Sequence, residues 1–194
     1  MTVSNNELRE LLTRALNALP AHADGLRELD AALGDGDLGI TVRAGSAAVV
    51  KALAALPDNA SLSDALLAAG KAFSTANPST FAALVGGGPL VAAKAVTGAQ
   101  GGGHAEALAI GRAVAGRIVE RGKSQLGDKT VLDALLPSVD AMIATAQEGV
   151  IATASIQSRK GRAAWVQERS IGHSKPGATA YARFLQALRG AFAA

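Results

Sequence analysis

Apolar side chains along this chain recur at the three- and four-residue steps of a helix face and do not alternate at period two as a half-buried strand requires. Leu8, Leu11, Leu12, Ala15 and Leu16 share one face of a helix over about residues 4–20. A second helix is predicted over about 22–33, where Gly34–Gly39 interrupts the pattern, and a third over about 41–55, ending before Pro57. Ser61 or Ser63 supplies an N-cap for the next helix, which continues through Phe73. Asn77-Pro78-Ser79-Thr80 breaks the chain, and the helix that follows, to about Thr97, is expected to be irregular around Gly86-Gly87-Gly88-Pro89. After a glycine loop at 98–103, helices are predicted over 104–121, 130–148 with a kink at Pro137, 152–167, and, beyond a polar loop at 169–177, over 178–192.

These segments total about eight helices with no repeat, low-complexity tail or linker. The expected fold class is all-α, a bundle or closed helical barrel, with residues 1–194 forming one domain. Composition agrees. Apolar residues make up 49% of the chain, with Ala and Leu, both strong helix formers, dominant among them.

Charge and composition also narrow the chemistry. Aromatics are only 3%, too few for the stacking platforms of a nucleic-acid binder, and the +3 formal charge is spread out apart from a modest concentration at Arg159, Lys160 and Arg162. No nucleic-acid partner is expected. The chain has no cysteine, so neither a disulfide framework nor a thiolate metal site is available. No stretch of roughly 18 uncharged apolar residues reads as membrane-spanning; the nearest, 81–100, contains Lys94 and the Gly86–Gly88 run. With acidic residues and no long apolar core near the N-terminus, no signal peptide is expected either. A cytoplasmic location is the expectation.

The sharpest chemistry lies in Leu29-Asp30-Ala31-Ala32-Leu33-Gly34-Asp35-Gly36-Asp37-Leu38-Gly39. Asp30 ends a helical stretch, and Asp35 and Asp37 lie on a tight glycine turn that lets separated carboxylates converge. Converging carboxylates repel one another unless a cation sits between them, and an all-oxygen ligand set suits a hard ion. An EF-hand loop does not fit: where that motif needs a Glu at its twelfth position, this stretch counted from Asp30 has Thr41. Magnesium completes its shell with phosphate and water, so the turn points to a metal–nucleotide site.

This segment resembles the signature of the L subunit of dihydroxyacetone kinase, the nucleotide-binding domain of that family. Two further stretches agree in order and spacing across nearly the whole chain: Gly127-Asp128-Lys129-Thr130-Val131-Leu132-Asp133-Ala134-Leu135-Leu136-Pro137, and Gly161-Arg162-Ala163-Ala164 leading into Glu168-Arg169-Ser170-Ile171-Gly172-His173-Ser174-Lys175-Pro176-Gly177-Ala178-Thr179. The resemblance implies a barrel of eight antiparallel helices with the nucleotide at one end. It implies two magnesium ions on Asp30, Asp35 and Asp37, bridging the phosphates of ADP or ATP. Nucleotide contacts are implied from Leu38, Gly39, Ile40 and Thr41, from Ser79 and Thr80, from Gly122, from Thr130 and Val131, from Arg162, and from Lys175, Pro176 and Gly177. No residue is needed as a covalent nucleophile. The ketose is held by a separate K-type subunit, so such a partner is implied; the phosphoryl donor is either ATP or a phosphotransferase-system protein that recharges a retained ADP. A homodimer is compatible with the family. The chemistry of the residues accords with these roles. Pro78 favours a helix start that offers the Ser79 and Thr80 N–H and hydroxyl groups to phosphate, and Thr130 also begins a helix.

Three departures from the family pattern stand out. Leu38 replaces the usual His, removing a donor near the phosphates, a change that bears on rate or on phosphate donor. Phe81 ends a phosphate loop where the family has glycine, and Lys175 replaces an Asp. These departures accord with a branch acting on another small ketose, such as a tetrulose. They also leave room for the alternative of a non-catalytic, nucleotide-loaded regulator that binds a transcription factor or sensor, and for a third, weaker reading as a scaffold without nucleotide. Among other residues, Lys129 divides evenly between a phosphate contact and a solvated helix start. Asp128 and Asp133 read as N-terminal helix acids, His104 as a loop residue or cap, His173 as a loop-shaping site residue, Arg169 as an ion-pair partner and Trp165 as helix packing. The Gly86–Gly88 run fits close helix packing or a pocket wall.

Overall fold

Ser4 starts the first helix with a reciprocal cap. Its hydroxyl accepts from the Glu7 N–H at 3.3 Å, and the Glu7 carboxylate accepts from the Ser4 N–H at 2.9 Å. The structure, a computed structural model, describes residues 3–141 and 143–193; the side chains at 139–146, 162, 189 and 191–193 lie outside the description. Its helices are α1 (Asn5–Ala18), α2 (Ala23–Ala31), α3 (Leu38–Ala54), α4 (Leu62–Ala76), α5 (Thr80–Ala95), α6 (His104–Gly122), α7 (Leu132–Ala141), α8 (Ile143–Ala152) and α9 (Pro176–Ala193). Ser61 caps α4 through Asp64 as Ser4 caps α1. The described strands are two dipeptides, β1 (Val3–Ser4) and β2 (Gly101–Gly102), paired antiparallel, which tie the N-terminus to the α5–α6 loop.

From α3 to α9 each helix packs on the next, α9 packs on α1, and α1 packs on α3. Mostly short loops turn successive helices back on their predecessors, so eight helices close into an antiparallel barrel, with α2 laid against α3 and α9. The apolar faces meet in separate clusters. Leu16, Leu26, Leu38, Val42, Val49 and Leu53 pack together around α3, Leu62, Leu66, Ala92 and Val96 between α4 and α5, and Ile118, Leu132 and Leu135 between α6 and α7. The all-α expectation holds. Among the described residues no helix is long and apolar enough to cross a membrane.

Three element predictions need correction. The single helix expected over 130–148 is two, α7 and α8, which pack on each other; a Cβ on Gly149 would overlap the Asp133 carbonyl oxygen, so glycine permits that approach. The helix expected to be irregular is unbroken through Gly86–Pro89. Its glycines serve close packing, since a Cβ on Gly86 would overlap the Ser74 hydroxyl and one on Gly88 would lie 2.8 Å from Val114 Cγ1. The helix expected over 152–167 does not form. That stretch belongs to a long return segment, residues 153–175, with short 3-10 turns at Thr153–Ser155, Arg162–Ala164 and Gln167–Ser170. Its polar run Ser155–Gly161 offers no apolar stripe to hold a helix against the barrel.

Candidate functional site

The barrel alternates direction, so the α2–α3, α4–α5, α6–α7 and α8–α9 connections emerge at the same end. The glycine turn between α2 and α3 is shaped as its sequence suggests. Gly36 takes φ 73°, a left-handed conformation that glycine adopts without steric cost. The Leu33 N–H donates to the Asp30 carbonyl at 3.0 Å and the Asp37 N–H to Asp35 Oδ1 at 3.4 Å. Asp37 stands at the N-cap position of α3, and the Leu38 N–H donates to Asp30 Oδ2 at 3.3 Å. One carboxylate oxygen from each of Asp30, Asp35 and Asp37 falls within 4.8 Å of the others.

Electrostatics sharpen this cluster. Burial pushes the Asp37 carboxyl above its ordinary range, and the Asp30 charge adds to the push. The first N–H groups of α3 lie beside the carboxylates and favour negative charge there. Convergent all-oxygen ligands beside a helix N-terminus, Asp30 and Asp37 half-buried and Asp35 exposed, fit a magnesium ion that shares its shell with phosphate.

The neighbouring loops connect to this turn through a chain of contacts. Thr41 is fully buried; its hydroxyl accepts from Asn77 Nδ2 at 2.7 Å and donates to Ser79 Oγ at 3.4 Å. Ser79 caps α5 by accepting from the Ala82 N–H at 3.1 Å, and Thr80 beside it is exposed. Phe81 turns inward, edge-on to Phe73 at 6.5 Å, and its ring lies 3.2 Å from where a Gly177 Cβ would stand; Val131 Cβ lies 3.8 Å from the same point. Gly177 thus admits the ring that replaces the family's loop glycine. The α3, α5, α7 and α9 starts are thereby brought together.

Other expected site residues fall as follows. Leu38 is 4% exposed and points into the core, so it offers the site its N–H and not its side chain. Gly39 is buried against the Ala23 carbonyl, where a Cβ would overlap, and Ile40 is exposed. Gly122 ends α6. Thr130 donates its N–H to Asp133 Oδ2 at 2.7 Å and its hydroxyl accepts from the Leu132 N–H at 3.1 Å. The Lys175 N–H donates to Thr153 Oγ1 at 2.9 Å, and Pro176 opens α9, where its missing N–H is no loss. The Arg162 side chain lies outside the described residues.

Asp133 also accepts from the Gly127 N–H at 2.6 Å, and Asp128 from the Gln125 N–H at 3.0 Å, so both acids shape the loop before α7. His104 is the first residue of α6, where the helix predicted over 104–121 begins, and Gly103 holds the N-cap position. His173 is exposed. Two expectations are overturned. Trp165 is 83% exposed and packs no helix, because the helix meant to carry it does not form. Lys129 is neither solvated nor turned to a phosphate position. It is fully buried, and its ammonium donates to the Ser170 carbonyl. Sequence reasoning passed over Asn77, whose place before Pro78 signals a turn but not its bond to Thr41.

Comparison with known proteins settles the family. The DAK2 domain model matches residues 32–190, most of the chain and both aspartates of the glycine turn. The chain belongs to the DAK2 domain family of dihydroxyacetone kinase L subunits. It is 28% identical to the ADP-binding subunit of the PEP-dependent dihydroxyacetone kinase of Escherichia coli, over 97% of each chain. Against the corresponding subunit of kinase 1 of Listeria innocua the identity is 32%, over 84% of each chain. L-erythrulose 1-kinase of Mycolicibacterium smegmatis is also 32% identical over 84% of this chain, which spans 31% of that longer protein. The fold matches that of the C. freundii dihydroxyacetone kinase solved with AMP-PNP and magnesium, with TM-score 0.78 and 22% identity, over 98% of this chain and 34% of that one. The DAK2 assignment bears out the resemblance read from the three sequence motifs.

Proposed function

We propose that this chain is the nucleotide-binding, phosphoryl-transferring subunit of a small-ketose kinase, presenting a magnesium nucleotide to a ketose held by a K-type subunit. The convergence of the Asp30, Asp35 and Asp37 carboxylates at the N-terminus of α3 carries the reading. These residues would hold two magnesium ions, which when bound would neutralise phosphate charge. The free N–H groups at the start of α3, with Ser79, Thr80 and Thr130, would orient the phosphates. Lys175, Pro176, Gly177, Gly122, Val131 and Arg162 would line the rest of the nucleotide site. Support comes also from the E. coli and Listeria relatives, both named ADP-binding subunits.

A phosphoryl acceptor has to approach this end of the barrel, and large apolar side chains stand exposed around it: Ile40, Leu126, Trp165 and Ile171. They suit contact with the K-type partner. Position 38, with its Leu side chain buried, supplies no imidazole to the phosphates, which favours, as a second reading, a nucleotide-loaded regulator without turnover. Supplying a K-type subunit, ketose and ATP, or a phosphotransferase donor, separates the two: phosphate transfer supports the enzyme, and capture of a regulator without transfer supports the second reading. Isothermal titration tests the site itself. Mg-ADP binding is expected to depend on magnesium and to weaken by about tenfold or more in Asp35→Asn and Asp37→Asn. Wild-type affinity in both variants would overturn the metal assignment.

A further inference from the structure

Three described residues other than glycine have left-handed backbone: Lys123 (φ 45°), Lys129 (φ 56°) and Gln167 (φ 47°). All three fall in the α6–α7 loop, residues 123–131, or in the return segment, residues 153–175. A side chain disfavours this conformation, which persists where its surroundings over-determine it. At Lys129 those surroundings are visible. The side chain is 0% exposed and its ammonium donates to the carbonyl of Ser170, which is itself fully buried. The Ser170 hydroxyl accepts from the Ser158 N–H at 2.8 Å and donates to the Gln167 carbonyl at 2.7 Å. One residue before Lys129, the Asp128 carbonyl accepts from the Arg159 N–H at 3.2 Å. Adjacent residues of one loop thus grip the return segment at two points.

Lys129 is a poor choice for stability alone. Its ammonium donates to a neutral carbonyl, and burial together with the nearby Lys175 charge lowers its hold on a proton. An apolar side chain of similar length would fill the space without the desolvation cost. Its position is suited to another task. Thr130 and Val131 follow it directly, and Lys175–Gly177 follow Ser170 after a few residues.

We infer that Lys129 is a positioning residue, whose buried ammonium fixes the return segment to the α6–α7 loop and so sets Lys175–Gly177 in register with Thr130–Val131 across the nucleotide site. The inference rests on the nucleotide role proposed above for those two stretches. Lys129→Met tests it, keeping an unbranched side chain and the same left-handed backbone but removing the donor. Hydrogen exchange over residues 156–172 is expected to quicken about tenfold and Mg-ADP affinity to fall about tenfold. The melting temperature should not fall, and Mn2+ affinity without nucleotide, read by electron paramagnetic resonance, should be unchanged. Mg-ADP affinity within about twofold of wild type, or a parallel loss of melting temperature and Mn2+ affinity, would overturn the inference. Should the variant not fold, the wild type still decides: residues 156–172 are expected to be protected from exchange without nucleotide, and unprotected rates there would overturn the tie. A wild-type chain that binds no Mg-ADP sinks the kinase reading, while the exchange data still report separately on the tie.

Discussion

At Asp37 two causes act in one direction, burial first and the Asp30 charge second, and both favour the protonated carboxyl. With its pKa raised above 3.8, the folded chain holds this proton at pH values where the unfolded chain has released it. Stability from Asp37 in the metal-free protein is therefore fully present below the unfolded value and is lost as pH rises through the raised value. Asp37→Asn is expected to stabilise the metal-free protein at neutral pH by up to about 0.5 kcal/mol and to be nearly neutral near pH 3, measured by urea denaturation. A divalent ion competes with this proton, so magnesium affinity of the wild type should weaken on acidification. The residue identities behind this behaviour were legible as three acids spaced by glycines. The degree of burial that sets its direction was not, because it depends on where α2 lies against α3.

At the scale of elements, α3 begins where its amide groups meet the carboxylate turn, and capping serines start α1, α4 and α5. The serine-capped starts are local chemistry and were readable, whereas α3 begins at Leu38, ahead of the predicted 41. The return segment was not readable. Its residues have acceptable helix propensity, yet Ser158, Arg159, Ser170 and Gly172 spend backbone or hydroxyl groups on contacts with distant residues or with each other. Trp165, left exposed by that outcome, is the residue whose contact with the proposed K-type partner is most open to test. Trp165→Ala is expected to leave folding stability within about 0.5 kcal/mol and Mg-ADP affinity unchanged. It should lower kcat/KM for transfer to a ketose on a K-type subunit by about tenfold, an effect typical of an aromatic anchor. Full transfer in this variant would remove Trp165 from the interface.

For the molecule as a whole, α9 packs on α1 and closes the ring, whose site-end loops come from every second connection. A nucleotide bridging the α2–α3, α4–α5 and α8–α9 connections would couple most of the ring. Mg-ADP at a hundred times its dissociation constant is expected to stabilise the fold by about 2.7 kcal/mol, read as a rise in melting temperature. The rise should vanish when magnesium is chelated and be much reduced in Asp35→Asn. A melting temperature indifferent to Mg-ADP would place the ligand outside this site.

The sequence by itself determined the all-helical class, most helix boundaries and the carboxylate turn, because helix periodicity, caps and glycine conformations act over a few residues. The motif spacing also named the family. Only the tertiary structure decided that α7 and α8 are two helices, that Leu38 and Phe81 turn inward, that Lys129 is buried and that Trp165 is exposed. Each of those outcomes depends on which surface arrives from far along the chain to cover a side chain or accept its proton, and no local pattern encodes that arrival.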